Sequence, residues 1–181
     1  MMHSLLFATG NKNKLREFQE ILGMEMVSVD IDLDEIQEIE IDKIIEHKAR
    51  EAFKKLGKPV LVEDTGLAFD AWGGLPGGLV KWFMHSVDNE GVLKMMKDFE
   101  NRHATAITVV GVYDGNELII EKGEVRGVVP YEIKGEGGFG WDPIFVPEGF
   151  TLSFAEMSAE EKNSCSMRKI AAEALKKRLM T

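Results

Sequence analysis

The sequence holds a single cysteine, Cys165, so no internal disulfide can form and a reducing, cytoplasmic setting is expected. Its four histidines, at 3, 47, 85 and 103, are scattered. No HxH, HExxH or CxxC spacing occurs, which argues against a zinc site. No apolar run approaches the roughly 20 residues needed to span a bilayer. The first apolar stretch, residues 5–8, is too short for the core of a secretory signal. Positive charge is also in deficit. With 22 Lys and Arg against 31 Asp and Glu the net charge is -9, which disfavours a nucleic-acid coat or an anionic membrane as partner. A small anionic substrate stays possible, because a few lysines can invert the field inside a cleft.

What remains is an ordinary globular composition, 44% hydrophobic and 29% charged over 181 residues. That length fits a single domain with a substantial core. Turn signals alternate with periodic segments throughout, as in a mixed α/β protein. Residues 5–8 read as a buried strand, 9–13 as a polar turn, and 14–22 as a helix stopped by Gly23. A strand is expected over 26–31. A helical stripe (Ile41, Ile44, Ile45, Ala49, Ala52, Phe53, Leu56) ends at Gly57. A short strand, 60–62, runs into Glu63-Asp64-Thr65-Gly66, and 71–81 reads as a glycine-rich connection. A helix is expected over 91–99, and strands 104–113 and 117–125 flank the hairpin signal Asp114-Gly115-Asn116. A strand is expected over 144–146. Ser158 and Glu161 form a capping box, and 168–179 is helical with Ile170, Ala171, Ala174, Leu175 and Leu179 inward.

Five segments carry candidate chemistry. Thr9-Gly10-Asn11-Lys12-Asn13-Lys14 joins a strand to a helix, where free N–H groups favour an anion, although it is neither a P-loop nor a GxGxxG fingerprint. Glu63-Asp64 follows a buried strand, where ligands of open α/β sheets bind; hard oxygens there suit Mg2+, and a simple turn is the competing reading. The acidic stretch Asp30, Asp32, Asp34, Glu35, Glu38, Glu40 reads as a solvated face with one carboxylate turned to a metal. Gly138-Phe139-Gly140-Trp141-Asp142 could stack on and hydrogen-bond a base, or serve as an aromatic core loop. Glu161-Lys162-Asn163 with Ser166-Met167-Arg168 is the fifth. Cys165 has no activating neighbour in sequence and reads as a passive thiol.

Taken in order, these segments, with Gly73-Gly74-Leu75-Pro76-Gly77, Lys81-Trp82-Phe83 and Phe154-Ala155-Glu156-Met157-Ser158, resemble the inosine triphosphate pyrophosphatase-like family over nearly the whole chain. The resemblance implies an elongated, two-lobed α/β fold with a central mixed sheet flanked by helices, a cleft between the lobes, and a homodimer. It implies Mg2+-dependent hydrolysis of ITP, dITP and XTP to the monophosphate and pyrophosphate. By similarity Asp64 is the catalytic carboxylate, and Glu35 with Asp64 binds the metal, Glu38 being the alternative to Glu35. Thr9, Asn11, Lys14, Lys48 and Lys162 are matched to phosphate contacts. Phe139, Trp141, Asp142, Ser166 and Arg168 are matched to the base. One departure stands out: the family pattern Ser-His-Arg is here Ser166-Met167-Arg168. A thioether donates no hydrogen bond, so selection of 6-oxo over 6-amino purines is expected to weaken while hydrolysis survives. The competing readings are a Maf-like nucleotide pyrophosphatase and a nucleotide-binding protein that has lost catalysis.

Overall fold

In the computed structural model, which describes residues 5–34 and 36–180, a seven-stranded mixed sheet is flanked by helices. The elements in chain order are β1 (Leu6–Ala8), α1 (Lys12–Leu22), β2 (Val27–Val29), α2 (Ile41–Leu56), β3 (Val60–Phe69), β4 (Pro76–Gly77), α3 (Val80–Met95), β5 (His103–Tyr113), β6 (Leu118–Val128), β7 (Val146–Pro147), α4 (Ala159–Cys165) and α5 (Met167–Met180). The strands lie in the order β2-β1-β3-β5-β6-β7, with β4 beside β3. β1 runs parallel to β2 and β3, and the long strands β3, β5 and β6 are antiparallel.

The pleat of β3 sorts the core. Val60 and Val62 pack with Ile41, Ile45, Ala49 and Ala52 of α2 on one face. Leu61 packs with Phe18 of α1 and Ala171 and Leu175 of α5 on the other. A third cluster, including Phe69, Trp141, Phe145, Phe154 and Met167, fills the far end of the long strands. Alternation continues past Val62, so Glu63 is carried to the α1/α5 face and Asp64 to the α2 face. β1 pairs with β3 only at Val60 and Leu61, so both acids lie just beyond the carboxyl end of the parallel pair.

Several sequence expectations are corrected. β3 runs for ten residues rather than three because each of its positions, from Val60 opposite Tyr113 to Phe69 opposite Ala104, pairs with β5. That ladder outweighs the poor strand propensity of Glu-Asp-Thr-Gly. α1 begins at Lys12, two residues early, because the Asn11 side chain accepts from the N–H groups of Asn13 and Lys14. The expected helix over 91–99 is the second half of α3, which starts at Val80 and breaks at Asp88, where φ is 57°. Residues 144–146 split into a 3-10 turn, Asp142–Ile144, and the short β7. The capping box at Ser158 is present. Ile170 is 44% exposed, whereas Ala172 takes an inward place on α5.

Gly123 on β6 sets the position of α5. A Cβ there would lie 1.9 Å from the carbonyl oxygen of Met167. The first turn of α5 therefore rests directly on the strand, which brings Arg168 over the sheet toward Glu63.

Candidate active site

A cleft of about 1250 Å³ opens above the carboxyl end of β1 and the middle of β3. Its walls include the β1–α1 turn, Lys48 of α2, the start of α3 with Lys81, Trp82 and His85, and the loop carrying Phe139. It exceeds the few hundred Å³ of a small-ligand pocket and has room for a nucleotide with its phosphate chain.

Asp64 faces this space with its side chain 26% exposed. Lys14 Nζ stands 3.6 Å from its Oδ1 and Lys48 Nζ 3.8 Å from its Oδ2. Lys48 also donates to the Glu63 carbonyl at 3.4 Å. Two cations from helices on opposite faces of the sheet thus converge on one carboxylate at the strand edge. Thr9 Oγ1 accepts from Asn11 N–H, and Asn11 Oδ1 caps α1, so both side chains shape the β1–α1 turn beside Lys14.

Below the cleft floor lies a chain of charges. Glu63 is fully buried; its Oε2 is 2.8 Å from Lys14 Nζ, and its Oε1 accepts from Arg168 Nη2 at 3.0 Å and Thr65 Oγ1 at 2.6 Å. Arg168 also pairs with Glu17. Glu17 holds Lys162 Nζ at 2.9 Å, and Lys162 reaches Asp142 Oδ2 at 2.6 Å. Asp142 Oδ2 accepts from Phe139 N–H, which ties the aromatic loop to the chain. Three acids and three bases alternate, so buried charge is matched at each step. Burial alone would raise the Glu63 pKa, but the adjacent Lys14 and Arg168 override it and hold it at about 2. Burial would likewise lower the Lys14 pKa, and Glu63 and Asp64 raise it instead. Burial pushes the Asp142 pKa up against the pull of Lys162.

The base-side residues divide. Phe139 is half-buried on the cleft, its ring centroid 4.5 Å from Lys162 Nζ and 5.7 Å from Arg168 Cζ. Trp141 borders the cleft, but its indole belongs to the core, edge-on to Phe145 at 5.7 Å. Ser166 is fully buried, and its hydroxyl accepts from Lys169 N–H at the start of α5 rather than facing the cleft. Met167, 2% exposed, borders the cleft from within the third core cluster. The ammonium of Lys162, matched to phosphate by sequence, is already engaged by two buried carboxylates. Burial raises the Cys165 pKa, in keeping with a passive thiol.

Glu35 lies outside the described residues. Its alternative, Glu38, is engaged locally: Oε1 accepts from the N–H groups of Ile39 and Glu40, and the carboxylate pairs with Lys43. Asp30 and Asp32 border the cleft with Asp64. Among the described residues no three His, Cys, Asp or Glu side chains are grouped to hold a metal by themselves, whereas the cleft-facing Asp64 carboxylate fits Mg2+, which takes one or two carboxylates and completes its shell from water and phosphate. Sequence reasoning missed Glu17 and His85 as members of the site's floor and walls, and it gave Lys81 no role there. Glu17 had one local signal: it sits three residues after Lys14, on the same face of α1.

The family model that matches, described as the Ham1 family, covers residues 5–178. The chain belongs to the Ham1 family. The dITP/XTP pyrophosphatase of Methanopyrus kandleri is 43% identical over 173 residues, covering 93% of this chain and 92% of that protein. The inosine triphosphate pyrophosphatase of Yarrowia lipolytica is 45% identical over 179 residues, covering 96% and 94%. Among solved structures, the Ham1 protein of Coxiella burnetii superposes with a TM-score of 0.86 at 28% identity, covering 97% of this chain and 98% of that one. The Staphylococcus aureus Ham1 protein gives 0.82 at 26% identity, covering 97% of both. The Ham1 assignment bears out the resemblance and the mixed α/β architecture read from the sequence.

Proposed function

We propose that the chain hydrolyses non-canonical purine nucleoside triphosphates, ITP, dITP and XTP, to the monophosphate and pyrophosphate. The observation that carries this reading is Asp64, aimed into the cleft between Lys14 and Lys48. The names of the relatives, a dITP/XTP pyrophosphatase and an inosine triphosphate pyrophosphatase, agree with it.

In this reading Lys14 and Lys48 hold the phosphate chain so that the α-phosphorus lies over Asp64. A water oriented by the Asp64 carboxylate attacks that phosphorus, and Asp64 accepts its proton. The new bond joins the water oxygen to the α-phosphorus; the bond that breaks releases pyrophosphate. Bound Mg2+, held by Asp64 and Glu35, would supply positive charge against the charge developing on the leaving pyrophosphate. Thr9 and Asn11 shape the phosphate turn. Phe139 stacks on the base, with Arg168 beneath it, while Asp142 and Lys162 hold the loop that presents the ring. Trp141 braces the loop from the core, and Ser166 fixes the start of α5. The protein acts in this reading as a cytoplasmic homodimer on free nucleotides, not on nucleic acid or membrane. The single cysteine and the net charge of -9 support that setting, and no described helix is long and apolar enough to cross a membrane.

The test is pyrophosphate release from ITP, XTP, dITP, GTP, ATP and dUTP, with Mg2+ and with EDTA, beside an Asp64→Asn variant. Metal-dependent release that Asp64→Asn abolishes is the expected result. Nucleotide binding with no release from any substrate would leave a binding protein instead.

A further inference from the structure

Glu63 has no role in the scheme above, yet it is the carboxylate that joins Lys14 at one end of the cleft floor to Arg168 at the other. Its side chain is fully buried, and its two oxygens serve different cations. Oε2 meets Lys14, which stands beside Asp64; Oε1 meets Arg168, which stands under Phe139. Neutralising one buried lysine would need only one of these contacts. Thr65 Oγ1 donates to Oε1 as well, which fixes the rotation of the carboxylate. The strand pleat aims Glu63 away from Asp64, so it reaches substrate only through the two cations.

We propose that Glu63 is a positioning residue whose carboxylate fixes Lys14 beside Asp64 and Arg168 beneath Phe139 at once, giving the phosphate end and the base end of the cleft one shared anchor. The proposal rests on the reading of Asp64 as the reaction centre and Phe139 as the base platform. Displacing the anchor shifts both cations together. Turnover and base selection therefore change together, although Glu63 touches neither end of the nucleotide. Misplacing a substrate-positioning group by about 1 Å can cost about 100-fold in rate.

The experiment compares Glu63→Gln, which keeps the volume and loses the charge, with Glu63→Asp, which keeps the charge and draws it back by one methylene. Rates are expressed per folded molecule, using circular dichroism at the assay temperature, for ITP and for ATP. For Glu63→Gln the expected result is a kcat on ITP lower by about 10- to 100-fold, with the ITP-to-ATP ratio of kcat/KM falling about fivefold or more. Glu63→Asp should recover part of both. An unchanged kcat per folded molecule overturns the proposal. So does a lower kcat with an intact ratio, or an equal loss in the two variants. If Glu63→Gln does not fold, Glu63→Asp decides alone: kcat and ratio must fall together. Failure of both to fold makes Glu63 purely structural and also overturns the proposal. An Asp64→Asn variant runs alongside. If it retains activity, the reading of the reaction centre fails, whatever the Glu63 variants do.

Discussion

Replacing Lys162 by Met removes an ammonium while keeping nearly the same chain length, and its cost follows from the charges around it. Lys162 Nζ lies 2.9 Å from Glu17 and 2.6 Å from Asp142, and all three side chains are at most 6% exposed. Removing one partner of a buried ion pair costs about 3–5 kcal/mol, because the other is left unmatched. The added apolar end of Met returns about 1 kcal/mol by its burial. The net loss is about 2–4 kcal/mol, a large share of the roughly 5–15 kcal/mol that holds a domain folded. At about 2–4 °C per kcal/mol for a chain of this size, the melting temperature should fall by about 4–16 °C. The deficit should also depend on pH, with a sign that can be worked out. Burial, with Glu17 close by, already raises the Asp142 pKa. Without Lys162 its pull is gone, and the native state binds a proton that the unfolded chain releases near pH 4. A native state that binds more protons gains stability as pH falls. The Lys162→Met deficit against the natural protein should therefore shrink between pH 7 and pH 5. Urea unfolding at both values reads it. A deficit under about 1 kcal/mol at pH 7, or one of equal size at pH 5, would refute the account of a buried chain of matched charges.

Met167→His should raise the preference for ITP over ATP, by about 5- to 150-fold if the imidazole donates to the 6-oxo group, since one such bond is worth about 1–3 kcal/mol. An unchanged rate ratio would show that base selection does not pass through this position. The Glu63 pKa, held at about 2 against its ordinary 4.5, predicts acid lability of opposite sign to the Asp142 effect. Its contribution, on the order of 3 kcal/mol, is complete above pH 4.5 and disappears as pH falls toward 2. In Glu63→Gln the steep loss of stability across that window should flatten, as acid titration followed by circular dichroism would show.

Local patterns carried much of the architecture. The Ile41-Ile44-Ile45-Ala49 stripe, the Asp114-Gly115-Asn116 turn and the Ser158 box each encode their element within a few residues, and each element formed. α3 escaped because its first half follows a glycine-rich stretch and shows little amphipathic contrast, and Asp88 interrupts the helical path. β3 escaped because its second half is held by pairing with β5, some forty residues away, rather than by its own propensity. The same holds for the site. Asp64, Lys14 and Phe139 were legible as members of ordered motifs. The pairings of Glu17 with Lys162 and Arg168 join α1 to α4 and α5, and nothing local announces them. Ser166 shows the limit of a motif letter, which records the residue present and not where its hydroxyl points, here to the Lys169 N–H.

Gly123 lies mid-strand on β6, outside every segment from which the site was read, and the backbone of Met167 rests where its side chain would be. The helix that delivers Arg168 has its height above the sheet fixed by a hydrogen atom. A methyl group there would lift the first turn of α5, pull the guanidinium away from Glu17 and Glu63, and so unseat the Phe139 loop through Lys162. Variation that reshapes how this cleft grips a nucleotide can thus arise in a bare stretch of strand that never meets the nucleotide.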